Sequence, residues 1–129
     1  MGDAKKRYLI ILSTGKTDKG AKATLAFAWG CSALSMGYEV MLMVTAEGTV
    51  WGVKGESDGI HFPGFEPLED YILQFKELGG TLCVCPPCLE HYCSIDRETA
   101  LKGLRQGGEL CGIARAIEYS AHGAQVVNF

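Results

Sequence analysis

The chain has 129 residues, of which 47% are apolar and 21% charged, with a formal net charge of −3. That composition belongs to an ordinary globular protein and excludes a disordered or fibrous one, while the weak acidic balance leaves no basic footprint for nucleic acid. The length predicts a single domain over residues 1–129, with a core large enough to need no disulfide staples. No window reaches the ~18 apolar residues of a membrane span. Lys5-Lys6-Arg7 before Tyr8–Leu12 faintly resembles a secretory leader. The apolar run is too short, and Ser13-Thr14-Gly15-Lys16 follows where a cleavage site should be. A cytoplasmic location is expected, where thiols stay reduced and clustered cysteines are catalytic or metal-binding more often than structural.

Residues 6–13 centre on Tyr8-Leu-Ile-Ile-Leu12, a continuous apolar run that predicts a strand buried on both faces. A polar turn over 13–20 leads to a helix over 21–36, with Leu25, Ala28, Trp29, Ser32 and Met36 on one stripe and Gly37 as its stop. Tyr38–Val44 reads as a second buried strand. Residues 46–66, with five glycines and Trp51, form the least regular stretch, and a loop of that length is usually functional or mobile. Pro67 opens the clearest helix, in which Leu68, Tyr71, Ile72, Phe75 and Leu78 keep helical spacing and Gly79-Gly80 ends it. Thr81–Cys85 is the third strand. Ser94 or Asp96 is placed to cap a short helix to about Gln106. Glu109–Cys111 makes a brief strand, Ile113–Ser120 a helix and Gln125–Asn128 a last strand. The order predicts a three-layer α/β domain of flavodoxin/Rossmann-like type, with a mostly parallel five-stranded sheet and helices on both faces.

In such sheets ligands bind beyond the carboxyl ends of the strands. Residues 13–18, 45–52, 85–93 and the surroundings of Cys111 converge there. The third of these segments, together with the two residues before it, holds four of the six cysteines, Cys83-Val-Cys85-Pro-Pro-Cys88-Leu-Glu-His91-Tyr-Cys93. Pro86-Pro87 suits the first turn of a helix, which puts Cys85 near an N-cap, where exposed amides and the macrodipole favour a thiolate. Such a thiolate can carry sulfane sulfur as a persulfide. C-P-P-C is also a C-x-x-C redox motif, but all four prolines precede or lie within it, so no later cis-proline can face a disulfide. Thirdly, Cys83, Cys85, Cys88 and Cys93, with His91 nearby, are soft ligands suited to zinc, although no second C-x-x-C closes a four-ligand site. The spacing matches no iron–sulfur pattern. The chemistry calls for no cofactor, with zinc as the alternative.

Ser13, Thr14 and Gly15 are candidates to cradle an anion, although Ile10 stands where a P-loop needs glycine and Leu12 where a flavodoxin phosphate loop wants Ser or Thr. Glu47 is a candidate to orient a thiol or proton, and Trp51 to line a pocket or a subunit contact. Trp29 reads as core and Cys31 as packing. Cys111 ends a strand on the functional edge and is a candidate internal partner for Cys85 or Cys88.

Several of these segments together resemble the DsrE/DsrF-like family of sulfur-relay proteins. They are Tyr8–Leu12, the strand exit Met43-Val-Thr-Ala-Glu47-Gly48, the helix Leu68–Leu78 with its Gly-Gly, and Val84-Cys85-Pro-Pro-Cys88. The ending from Gly-Glu-Leu-Cys111-Gly to Phe129 belongs with them. The resemblance implies a compact five-stranded domain that forms homotrimers or homohexamers and exchanges sulfur with donor and acceptor proteins. It also implies a persulfide carrier in the loop after the third strand, which falls on Cys85, with Cys88 as the second thiol found in some relatives. Cys83 and Cys93 depart from members with one reactive cysteine. The expected function is a sulfur carrier of sulfurtransferase type. The alternatives are a non-catalytic zinc-binding or regulatory oligomeric subunit and a thiol–disulfide redox protein.

Overall fold

The computed structural model describes residues 6–93, 99 and 102–129. Five strands, β1 (Arg7–Leu12), β2 (Glu39–Val44), β3 (Thr81–Val84), β4 (Gly108–Leu110) and β5 (Ala124–Asn128), form one sheet in the order β4-β3-β2-β1-β5. Every pairing is parallel, so the carboxyl ends of all five strands lie along one edge. Helices α1 (Ala21–Ser35) and α2 (Leu68–Glu77) pack side by side, and α3 (Pro86–Cys93) follows β3. Helix α4 (Ile113–Ala121) carries the chain from β4 at one margin to β5 at the other, packing on β1 and β5. The helix expected from Ser94 or Asp96 falls mostly on residues outside the described ones.

Alternation along the strands creates two apolar layers. Ile10, Leu12, Val40, Leu42, Val44, Leu82 and Val84 point to one side, where they meet Ala23, Phe27, Ile72, Phe75 and Leu89 from α1, α2 and α3. Leu9, Met41, Met43, Cys83, Cys85 and Cys111 point to the other, under Ala116 and Tyr119 of α4. The second layer is thinly covered, with Ile113 65%, Ile117 62% and Val126 49% exposed. The fold class expected from the sequence is the one observed.

The stripe chosen for α1 is not the buried one. Ala23, Ala26, Phe27, Gly30, Cys31 and Ala33 face the core, whereas Trp29 is 46% and Met36 69% exposed. The reason is close packing. A Cβ at Gly30 would lie 2.8 Å from the Phe75 ring, so small residues set the distance to α2 and the large ones are turned outward. Trp29 meets Phe129 edge-on instead, at 6.1 Å between ring centroids.

Candidate functional site

The connections after β1, β2 and β3 leave from the carboxyl edge. After β1 the chain makes a 3-10 turn, Lys16–Asp18; after β2 it makes a longer one, Ala46–Gly52; after β3 it enters α3 directly. The first two are tied together. Trp51 is fully buried and its indole Nε1 donates to the Thr14 carbonyl at 2.9 Å. Gly48 allows the approach, since a Cβ there would lie 2.2 Å from the Leu12 carbonyl oxygen. Trp51 is therefore core, not the pocket or subunit-contact residue its glycine-rich setting suggested.

The other loop candidates are also partly committed. The Ser13 amide donates to the Phe129 carbonyl at 3.0 Å and its hydroxyl leans on the same oxygen, while Gly15 packs against the Glu47 backbone. The open surface lies just beyond them. A cleft of about 670 Å³ is lined by Lys16, Thr17, Glu47, Val50, Val53, Glu56, Tyr92 and Cys93. Lys16 and Glu56 form an ion pair there at 2.8 Å.

Cys85 occupies the N-cap position of α3. Its carbonyl accepts the Leu89 amide at 3.0 Å, the first helical bond, and its own amide donates to Val44 at 3.2 Å, the last bond of the β2–β3 ladder. Strand and helix thus both hold this residue. Pro86 and Pro87 occupy the first helical positions, where an amide has no helical acceptor. The Cys85 sulfur meets both the thiol and the backbone amide of Cys88. Burial pushes the Cys85 thiol up, and the hydrogen bond to the Cys88 side chain adds to this. The Cys88 amide acts in the opposite sense without reversing it. The N-cap donor expected to favour a thiolate is therefore present, but desolvation outweighs it in the resting protein. Cys88 is the more exposed of the pair.

The six cysteines are all free and fall on different sides of the sheet. Cys83, Cys85, Cys88 and Cys111 belong to the layer under α4. Cys93 packs against the opposite layer, where its sulfur lies 3.5 Å from the Thr49 hydroxyl, and Cys31 donates from the same side to the Tyr71 carbonyl at 3.3 Å. The set Cys83, Cys85, Cys88 and Cys93 is therefore not gathered around one point, because the sheet separates the first of them from the last.

A group the sequence reading did not assemble lies on the cysteine-rich side. Cys83, Glu109 and Cys111 bring two sulfurs and a carboxylate oxygen within 4.8 Å of one another. Arg115 Nη1 donates to the Cys111 sulfur at 3.2 Å and is 3.2 Å from Glu109 Oε2. Burial, then the hydrogen bond to Cys111, pushes the Cys83 thiol well above the ordinary range. The signal was present: Glu109 and Cys111 share a strand face at spacing two, and Arg115 follows Cys111 by one helical turn. The histidines stand apart from these thiols. His61 bonds the Phe65 carbonyl, His91 stacks edge-on with Tyr92, and His122 bonds the Glu118 carbonyl.

Comparison with known proteins agrees with the fold. The crystal structure of the ychN protein from E. coli superposes with a TM-score of 0.72 at 11% identity, covering 95% of this chain and 99% of that one. A conserved protein of unknown function from Bacteroides thetaiotaomicron, BT1422, gives 0.58 at 16% identity, over 97% of this chain and 95% of that one. In sequence, the uncharacterized protein MJ0760 of Methanocaldococcus jannaschii is 27% identical over 111 residues, or 86% of this chain. The chain spans only 38% of that relative's length. The model of the DsrE/DsrF-like family matches residues 6–129, from the first strand of the sheet through the cysteine segment to the last strand. The chain therefore belongs to the DsrE/DsrF-like family, a membership that supports a sulfur-relay-type role at the level of the family.

Proposed function

We propose that this protein is a persulfide sulfur carrier of sulfurtransferase type, in which Cys85 holds the sulfane sulfur and Cys88 is the second thiol. The observation that carries the reading is the N-cap placement of Cys85 at the end of β3, with its sulfur against the amide and thiol of Cys88. Once Cys85 is deprotonated, that amide and the amino end of α3 are aimed at the developing negative charge. A persulfide on Cys85 stays sheltered, because the sulfur is buried, and Cys88 is the thiol that solvent and partners reach first. The cytoplasm suits a protein whose six thiols are all free. Donor and acceptor proteins are the natural partners of such a carrier. The exposed Ile113, Ile117 and Val126 beside the thinly covered sheet face suit self-association, and the homotrimer or homohexamer implied by the family resemblance is the assembly proposed.

The test is a mass measurement. Reduced protein incubated with a sulfane-sulfur donor should gain about one sulfur (~32 Da) on the peptide containing Cys85. The absence of an adduct, or an adduct that persists in Cys85→Ser, would rule out Cys85 as the carrier.

A further inference from the structure

We propose that Cys83, Glu109 and Cys111 form a zinc site that ties the short edge strand β4 to β3. The site is independent of the carrier reading, because Cys85 and Cys88 are not among its ligands. The register of the sheet supplies the set. Cys83 on β3 pairs with Glu109 on β4, and Cys111 follows Glu109 by two residues on the same face. The Cys111 amide bonds to the Val84 carbonyl at 3.0 Å and holds that placement. Cys83 and Cys111 are therefore diagonal to each other across two parallel strands, about 8 Å apart between Cα atoms. That span exceeds the ~7 Å limit of a disulfide, but it suits two thiolates converging on one ion. The two sulfurs and a Glu109 carboxylate oxygen already lie within 4.8 Å of one another. Tetrahedral zinc, with sulfur at about 2.3 Å, needs the two sulfurs roughly 3.8 Å apart, so a closure of about 1 Å at most completes the set.

The donor set selects the metal. Two thiolates favour zinc or monovalent copper over calcium and magnesium, and the carboxylate oxygen favours zinc over copper. Charge agrees with this choice. Two thiolates and a carboxylate carry three negative charges, which zinc and the Arg115 guanidinium together cancel. Arg115 Nη1 donates to the Cys111 sulfur and to Glu109 Oε2, both at 3.2 Å, from a half-exposed side chain. It approaches from the solvent side, and both ligand atoms keep lone pairs for the metal. Arg115 is thus a positioning residue that holds two of the three ligands in place.

Cys83 and Cys111 are buried, which shields their bonds to the ion from competing thiols, while half-exposed Glu109 marks the path of entry. Binding exchanges two thiol protons for the ion, with no change of oxidation state. Three protein ligands leave the fourth position to water. The role that follows is structural. Strand β4 is only three residues long and lies at the margin of the sheet, and Cys111 leads almost at once into α4. Zinc fastens this strand and the start of α4 to β3, on the face that also carries Cys85.

The experiment uses the reduced full chain, stripped of metal with a chelator, and reads cobalt(II) as a spectroscopic stand-in for zinc. Stoichiometric cobalt should give tetrahedral d–d bands and sulfur-to-cobalt charge transfer, both discharged by an equal amount of zinc. Zinc should raise the Tm of wild-type protein and leave that of Cys111→Ser unchanged. Cys83→Ser and Cys111→Ser should each weaken zinc binding roughly a hundredfold or more, and Glu109→Ala, at a half-exposed position, about tenfold. Arg115→Gln should also cost about tenfold, with Arg115→Lys recovering most of it. Cys85→Ser and Cys88→Ser should bind zinc as wild-type protein does. Wild-type protein without a cobalt–thiolate band would overturn the site. So would unchanged zinc affinity in Cys111→Ser or Glu109→Ala, or a band lost in Cys85→Ser, which would move the ion to the Cys85–Cys88 pair. Circular dichroism of the metal-free variants separates a lost ligand from a lost fold. If buried Cys83→Ser does not fold, Cys111→Ser and Glu109→Ala decide the question alone. The sulfane mass test reads the Cys85 peptide and the cobalt test does not, so the carrier and the zinc site fail separately.

Discussion

Trp51→Phe probes whether the loops at the carboxyl edge are held by the core. The indole is fully buried and donates to the Thr14 carbonyl at 2.9 Å. Phenylalanine keeps an aromatic ring but loses the donor, at about 1 kcal/mol for the hydrogen bond. The smaller ring leaves a void in a region where backbone contacts at Gly48 prevent collapse, adding roughly 1–2 kcal/mol. The sum is about 2–3 kcal/mol, which for a chain of this size lowers Tm by roughly 10 °C. Urea unfolding followed by circular dichroism gives the free energy directly. Trp29 serves as the control: it is 46% exposed, so Trp29→Phe should change stability by no more than about 0.5 kcal/mol. A Trp51→Phe loss equally small would refute the reasoning and return Trp51 to the surface role its sequence setting suggests.

Two further outcomes concern the thiols and a buried ion pair. Iodoacetamide should modify Cys88 before Cys85, since Cys88 is the more exposed. The thiolate is the reacting species and the Cys85 thiol is pushed above its ordinary 9.0, so its rate should still be climbing above that pH. A Cys85 rate that levels off below pH 9.0 in peptide mapping would contradict the dominance of desolvation. Separately, Arg105 is nearly buried and pairs with Glu69 at 2.7 Å, with Ser57 bonded to both. Glu69→Gln should cost roughly 2–3 kcal/mol in urea unfolding, at or below the lower end for a fully buried pair because Glu69 is partly exposed. A loss below about 0.5 kcal/mol would mean that the guanidinium has adequate alternative partners.

The parallel sheet was legible because β1, β2 and β3 are apolar on both faces, and α2 because its stripe, Pro67 and the glycines after it agree. The convergence of the loops on one edge follows from that topology alone. Other features depend on tertiary contacts that no local pattern carries. Trp51 sits among glycines that look like exposed loop, yet those glycines are there so that the loop can lie against β1 and bury the indole. The small face of α1 won over its large one because Gly30 meets Phe75. Cys83 and Cys93 look like companions in sequence, but α3 carries the chain past the sheet edge between them, so they end in different layers. Arg115 joins the thiols only because α4 crosses beneath β3 and β4 on its way to β5.

The division of the cysteines between the two layers also constrains how the chain must mature. Cys31 and Cys93 are insulated from Cys83, Cys85 and Cys111 only while the sheet stands between them. In an unfolded chain nothing prevents Cys93 from bonding to nearby Cys85 or Cys88, and the short loops involved make such pairings fast. A crosslink from Cys93 to Cys83 would pin together residues that the native sheet keeps on opposite sides, so that molecule would stay misassembled until reduced. Assembly of the sheet therefore has to come before any thiol oxidation, and the order of these two events decides whether a newly made chain becomes usable.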